Sequence, residues 1–281
     1  MVTVHHQQSG MNRDIRIVAE SSLNSSCYLH GSFKIQNRLF HVYDSPTQEL
    51  VEAARTAINE GHSAGIIKKQ CLKPSAMFFD MDGTVIAEES LVEIARSAGK
   101  FKQIQELTER AMAGDLDFGE SLKLRLAALK GLRREQVLSI RPTLNPGMQD
   151  LAVWCHARQI PLFLVSGGFV ELAEPIARSL QFMDFKANRF AWNDDIMLGE
   201  TDGPVVDARG KKEAFLGWCK THTIATFTTI GIGDGANDLE FLKSCGLAVG
   251  FAPKPILWPD LDISNHTGDH RFLIQCLLPN Y

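Results

Sequence analysis

Residues 77–90 read MFFDMDGTVIAEES, an apolar run that abruptly presents two carboxylates, a glycine and a threonine. Asp80 and Asp82 stand two residues apart, so on an extended chain both side chains leave on one face. Two like charges on one face repel unless something positive sits between them. An aspartate beside a bound cation can attack phosphorus and form an acyl phosphate. A second one can protonate the leaving alcohol and then activate water as a base.

Three further stretches carry matching chemistry. SGG, Ser166 to Gly168, offers a hydroxyl and free amides before a helix that begins near Phe169, an anion site or a plain turn. GIGDGANDLEF places Asp234, Asn237 and Asp238 within five residues, as helix caps or as metal ligands. Lys211 and Lys212 open another helix, where cations oppose the dipole, so either one has a partner elsewhere or both are solvated. Together they fit one chemistry. Clustered carboxylates make a hard oxygen site suited to Mg²⁺. A lysine and a hydroxyl-plus-amide turn then hold phosphate oxygens.

The elements that must position these groups form a regular alternation. AMFFDMDG, IPLFLVSGG, FTTIGIGDG and GLAVGFA are short apolar runs closed by Gly, Ser or Asp, as buried parallel strands are. Helical patterns lie between them, in FVELAEPIARSL, GKKEAFLGWCKTH and NDLEFLKSC. Repeated β–α units predict an α/β fold, a doubly wound parallel sheet with ligands at the strands' carboxyl ends. ESLVEIARSAG, FKQIQELTERAMAG, FGESLKLRLAALKG and RREQVLSI interrupt the alternation with helical spacing only. They predict a helical cap inserted after the first strand, at about 88–143.

Ahead of these, DIRIVAES, SCYLHGSF and NRLFHVYD are short and β-prone, and SPTQELVEAARTAINEG has helical spacing that stops at Gly61. Residues 1–73 are therefore expected to form a small α+β N-terminal extension, accessory rather than ligand-sensing. Lys73-Pro74 marks the boundary of a core spanning 74–281.

Composition narrows the classes. Hydrophobic residues make up 44% of the 281 and charged residues 22%, with a net charge of −4. No basic stretch points to nucleic acid, and no apolar run spans a bilayer. The six cysteines, Cys27, Cys71, Cys155, Cys219, Cys245 and Cys276, are scattered and read as reduced thiols of a cytoplasmic protein. The N-terminus lacks the basic start and apolar run of a signal peptide.

DMDGT, SGG, GKK and GDGAND, in this order, resemble the four motifs of the haloacid dehalogenase superfamily of phosphatases. Within it, ESLVEIARSAG, TERAMAGDLDFGESLKLRLAALKG, SGGF, ANRF and GDGANDLEFLKSCGLAVGF look like the phosphoserine phosphatase family with its four-helix cap. The resemblance implies a phosphoric monoester hydrolase that converts O-phospho-L-serine to L-serine and phosphate, the last step of serine biosynthesis. It implies Asp80 as nucleophile and Asp82 as general acid/base. It implies Mg²⁺ held by Asp80, the Asp82 carbonyl and Asp234, with Asp238 in support. Ser166, Gly167 and Lys211 would bind phosphate beside Asn237. In the cap, Glu89 would hold the amino group and Arg125 the carboxylate, near Met112 and Phe118. The rival reading is the same chemistry on another small phosphomonoester, or phosphoryl transfer from it to an acceptor other than water. Two departures from the family pattern stand out: Gly83 where Ser is common, and FAPKPILWPDLD, with Pro253 and a Trp-Pro pair, at a usually more polar rim.

Overall fold

The computed structural model describes residues 14–20, 29–112 and 118–278. Its elements in chain order begin with β1 (Ile15–Glu20), β2 (Leu29–Ile35), β3 (Arg38–Asp44), α1 (Gln48–Asn59) and β4 (Ala64–Lys68). Then come β5 (Ala76–Phe79) and the helices α2 (Ser90–Ser97), α3 (Phe101–Met112), α4 (Phe118–Ala128) and α5 (Arg134–Leu138). The chain continues through α6 (Met148–His156), β6 (Leu162–Phe169), α7 (Val170–Ser179), β7 (Asp184–Asn188), β8 (Phe190–Asn193) and β9 (Ile196–Thr201). It closes with α8 (Ala208–Thr221), β10 (Thr229–Gly233), α9 (Leu239–Leu242), β11 (Leu247–Phe251), β12 (Ile263–Asn265) and α10 (Arg271–Leu277).

Six strands, in the order β12-β11-β10-β5-β6-β7, are paired in parallel. Alternation along β5 explains the two-sided core. Met77 and Phe79 pack on one face with α6, α7 and α10. Phe78 points to the other, against Phe163 and the Phe215 and Trp218 rings of α8. Residues buried on both faces are why these strands read as continuous apolar runs rather than alternating ones.

The N-terminal segment continues this sheet. β4 pairs antiparallel with both β12 and β1, and β3 and β2 follow, giving a sheet of ten strands among the described residues. A strand-strand-strand-helix unit was expected there; β4 is the addition, and it makes the join. Its five residues, like the three of β12, are too short for a periodic signal and are fixed by their partners. Thr47 caps α1 by accepting from the Leu50 amide, and Gly61 ends that segment at a φ of 78°. Arg16, 2% exposed, forms a two-pronged pair with Asp44 at 2.8 and 3.1 Å and donates to the Leu278 carbonyl behind α10.

The inserted helices α2–α5 bury Leu91, Ile94, Leu122, Leu126 and Val137 in their own cluster. That cluster reaches Phe169 at the end of β6 and Phe190 of β8, whose rings stack. The β8–β9 hairpin, absent from the sequence reading, thus joins the cap to the sheet. No helix among the described residues is long and apolar enough to cross a membrane. Cys71, Cys155, Cys219, Cys245 and Cys276 are free; Cys27 lies outside the described residues.

Candidate active site

β5, β6 and β10 end side by side, and each delivers its polar residues at its carboxyl end. One expectation needs correction. The chain is not extended through Asp82, because β5 stops at Phe79 and the amides of Thr84, Val85 and Ile86 all fold back onto the Met81 carbonyl. The two aspartates therefore flank the first residue of a tight turn beyond β5 instead of sitting within a pleated strand. Gly83 sits in that turn at a φ of 71°, where a Cβ would lie 3.0 Å from Asp234 Oδ2.

Asp80 faces inward. Lys211 Nζ donates to Asp80 Oδ1 and to Asp238 Oδ1 at 2.6 Å each, with all three side chains buried. Lys211 is the lysine of the pair with buried partners; Lys212 is half-exposed and pairs only loosely with Glu240, at 3.7 Å. Asp238 accepts from the Asp234 and Gly235 amides at 3.1 Å, which fixes the loop after β10. Asp234 Oδ2 pairs with Lys254 Nζ at 3.0 Å. One oxygen from each of Asp80, Asp234 and Asp238 falls within a 4.8 Å cluster.

Electrostatics test whether this cluster suits a cation. Burial, then the Asp238 charge, pushes Asp80 well above the usual carboxylate range even with Lys211 in contact. Burial also raises Asp234 despite Lys254. Burial alone would depress Lys211, but Asp238 and Asp80 more than offset it and drive its value up. Three buried oxygen donors with negative charge left over after two lysines make a fit for a hard divalent ion.

Asp82 turns toward the cap. Its Oδ1 accepts from the Ser90 amide and its Oδ2 from the Ser90 hydroxyl, both at 3.0 Å. Burial first, then the charge of Glu89, pushes its carboxyl up to about 7. The SGG stretch, which turns as an irregularity within the last residues of β6, closes on it: a Cβ at Gly168 would lie 2.8 Å from Asp82 Oδ2 and 2.9 Å from Ser166 Oγ. Ser166 Oγ accepts from the Gly168 amide at 2.7 Å, so the turn is pinned by its own hydroxyl, and the Gly168 amide, expected to be free, is engaged instead. Asn188, buried at the end of β7, donates to the Gly167 carbonyl and accepts from the Val206 amide, 2.7 Å each.

The cap residues converge on the same place. Glu89 is exposed, immediately before α2, and its charge acts on Asp82, Asp234, Lys254 and Arg125. Arg125, half-buried on α4, is lowered by burial and pulled back up by Glu89 and Asp82. Asn237 is half-buried, and its Oδ1 would lie 2.9 Å from a Cβ at Gly235, with Lys254 Nζ at 3.4 Å. Met112 and Phe118 end α3 and start α4; their side chains lie outside what the structure describes.

Five contributors escaped the sequence reading: Ser90, Asn145, Asn188, Lys254 and His270. His270 Nε2 and Asn145 Nδ2 both donate to the Thr84 carbonyl, at 2.9 and 2.7 Å, bracing the turn that carries Asp82.

The haloacid dehalogenase-like hydrolase family model matches residues 77–243. A phosphoserine phosphatase from Idiomarina loihiensis is 33% identical over 218 residues, covering 77% of this chain and 94% of its own. A substrate-bound phosphoserine phosphatase structure superposes with a TM-score of 0.67 at 32% identity, over 72% of this chain and 98% of that one. A HAD family hydrolase from Salmonella enterica serovar Typhi matches in fold over 95% of this chain and 99% of its own, with a TM-score of 0.83 at 23% identity.

Proposed function

Because this chain belongs to the haloacid dehalogenase-like hydrolase family, we propose that it hydrolyses O-phospho-L-serine to L-serine and phosphate in the cytoplasm, closing serine biosynthesis. The observation that carries the reading is the pairing of two differently placed carboxylates. Asp80 is bound to buried Lys211, and Asp82 lies between the SGG turn and the cap. Similarity to phosphoserine phosphatases over most of the chain supports the substrate.

In this reading an Asp80 oxygen attacks phosphorus and the ester P–O bond breaks. Asp82, whose raised value keeps a proton available near neutrality, gives that proton to the departing serine oxygen. Asp82 then takes a proton from water, the hydroxide attacks phosphorus, and the bond to Asp80 breaks. Lys211 and the Ser166 and Gly167 turn hold phosphoryl oxygens, with Asn237 beside them. Glu89 and Arg125 hold the ammonium and carboxylate, a complement that a sugar phosphate has no use for. Asp80, Asp234 and the Asp82 carbonyl would hold Mg²⁺, with Asp238 in support. When bound, that ion supplies charge neutralisation and polarises a phosphoryl oxygen.

Phosphate release across a panel of phosphomonoesters, with and without Mg²⁺, tests this. Preference for O-phospho-L-serine and loss on chelation are expected; a preferred sugar phosphate would redirect the substrate assignment.

A further inference from the structure

The two lysines of the acid cluster are held in opposite ways. Lys211 is 1% exposed at its side chain and bridges two carboxylates, so it has neither room nor reason to leave. Lys254 touches a single carboxylate oxygen, Asp234 Oδ2, and its side chain is 51% exposed. Its backbone is fixed: it lies between Pro253 and Pro255, is extended at φ −66° and ψ 147°, and donates its amide to the Asp234 carbonyl at 2.8 Å. Only the side chain is free to swing. Its ammonium also feels Asp238 and Glu89, so it stands at the mouth of the cluster, between the core acids and the cap.

The geometry points to Lys254 as a tethered counter-cation that occupies Asp234 Oδ2 in the metal-free protein and competes with an entering divalent ion for that carboxylate's charge. This rests on Asp234 being a metal ligand. The consequence is thermodynamic. A lysine beside the site stabilises the empty protein and opposes the incoming ion, so removing its charge tightens metal binding while weakening the metal-free fold. A lysine that merely anchored the loop would have the reverse effect, because losing it would loosen Asp234 and weaken binding.

Calorimetric titration of metal-free protein with MgCl₂ separates these outcomes. Lys254→Met is expected to bind Mg²⁺ more tightly, by up to about fivefold, the size of giving up one half-exposed ion pair. Lys254→Arg, which keeps the charge, is expected to stay within about twofold of the parent on the same scale. In thermal melts, metal-free Lys254→Met should unfold earlier than the parent, and saturating Mg²⁺ should narrow the gap. Should Lys254→Met not fold, Lys254→Gln carries the same expectation. Asp234→Asn provides the control. If it binds Mg²⁺ like the parent, the ligand assignment fails and the inference with it. If it loses binding while the neutral Lys254 variants bind no more tightly than the parent, the counter-cation role alone is overturned.

Discussion

Ser90 holds both oxygens of Asp82, its amide on Oδ1 and its hydroxyl on Oδ2, each at 3.0 Å. Ser90 is also the first residue of α2, so the proposed proton donor is oriented by the opening turn of the cap. Orientation of the proposed general acid is thereby tied to the cap through one residue.

Ser90→Ala removes the hydroxyl contact and leaves the amide. Losing one hydrogen bond to a charged group costs about 1.5 kcal/mol or more. Steady-state kinetics should show kcat falling roughly tenfold with KM little changed. A raised KM at unchanged kcat would mean that Ser90 serves binding and not Asp82.

Asn188 ties the SGG turn to the segment before α8 through Gly167 and Val206. Asn188→Ala leaves a half-buried carbonyl and a buried amide without this partner, and should destabilise by about 2 kcal/mol in chemical denaturation. KM for the phosphate ester should rise as well, because the turn that faces Asp82 loses its brace. Unchanged KM would show that the turn holds its shape alone.

His270 is buried, stacks on Phe251 and donates to the Thr84 carbonyl. Burial depresses it from 6.5 to about 4, partly opposed by the Thr84 contact and the Asp269 charge. A histidine whose folded value lies below its unfolded one contributes stability fully present above pH 6.5 and lost progressively down to about 4, some 3 kcal/mol in total on the scale of about 1.4 per unit. His270→Gln keeps a donor and removes the titration. Its stability should therefore fall less than the parent's across that window, and parallel curves would contradict this account.

Arg16 and Asp44 fasten the N-terminal strands to the end of α10. Asp44→Ala strands a guanidinium whose side chain is 2% exposed, yet Asp44 itself is 26% exposed. The cost should then be about 2 kcal/mol, below the roughly 3–5 of a fully buried pair. Turnover at a permissive temperature should be unaffected, since every proposed site residue lies downstream of Lys73; a large loss of kcat there would tie the extension to the chemistry.

The core strands and the acid cluster were legible because buried parallel strands end abruptly in the residues that do chemistry. SGG and GDGAND are visible as polar punctuation on apolar runs. Ser90 was not, since a serine at a helix start reads as a cap, whereas here its hydroxyl donates to Asp82. Asn188 lies in ANRF, where nothing local reveals that its amide spans two other segments. Lys254 hides in a proline-rich rim whose apolar residues dominate the pattern. The short strands β4 and β12 owe their form to pairing across the sheet, which no local window contains.

The central claim, a phosphatase whose cap selects phosphoserine, is tested most directly by Arg125→Ala on two substrates. Arg125 lies within electrostatic range of Glu89 and Asp82. O-Phospho-L-serine carries the carboxylate it would grip bidentately, and an aryl phosphate carries none. The kcat/KM for phosphoserine is predicted to drop by about 2–3 kcal/mol of lost binding and positioning, roughly 30- to 150-fold, with the aryl phosphate far less affected. Equal losses on both substrates would contradict the claim and leave a phosphatase whose selectivity lies elsewhere.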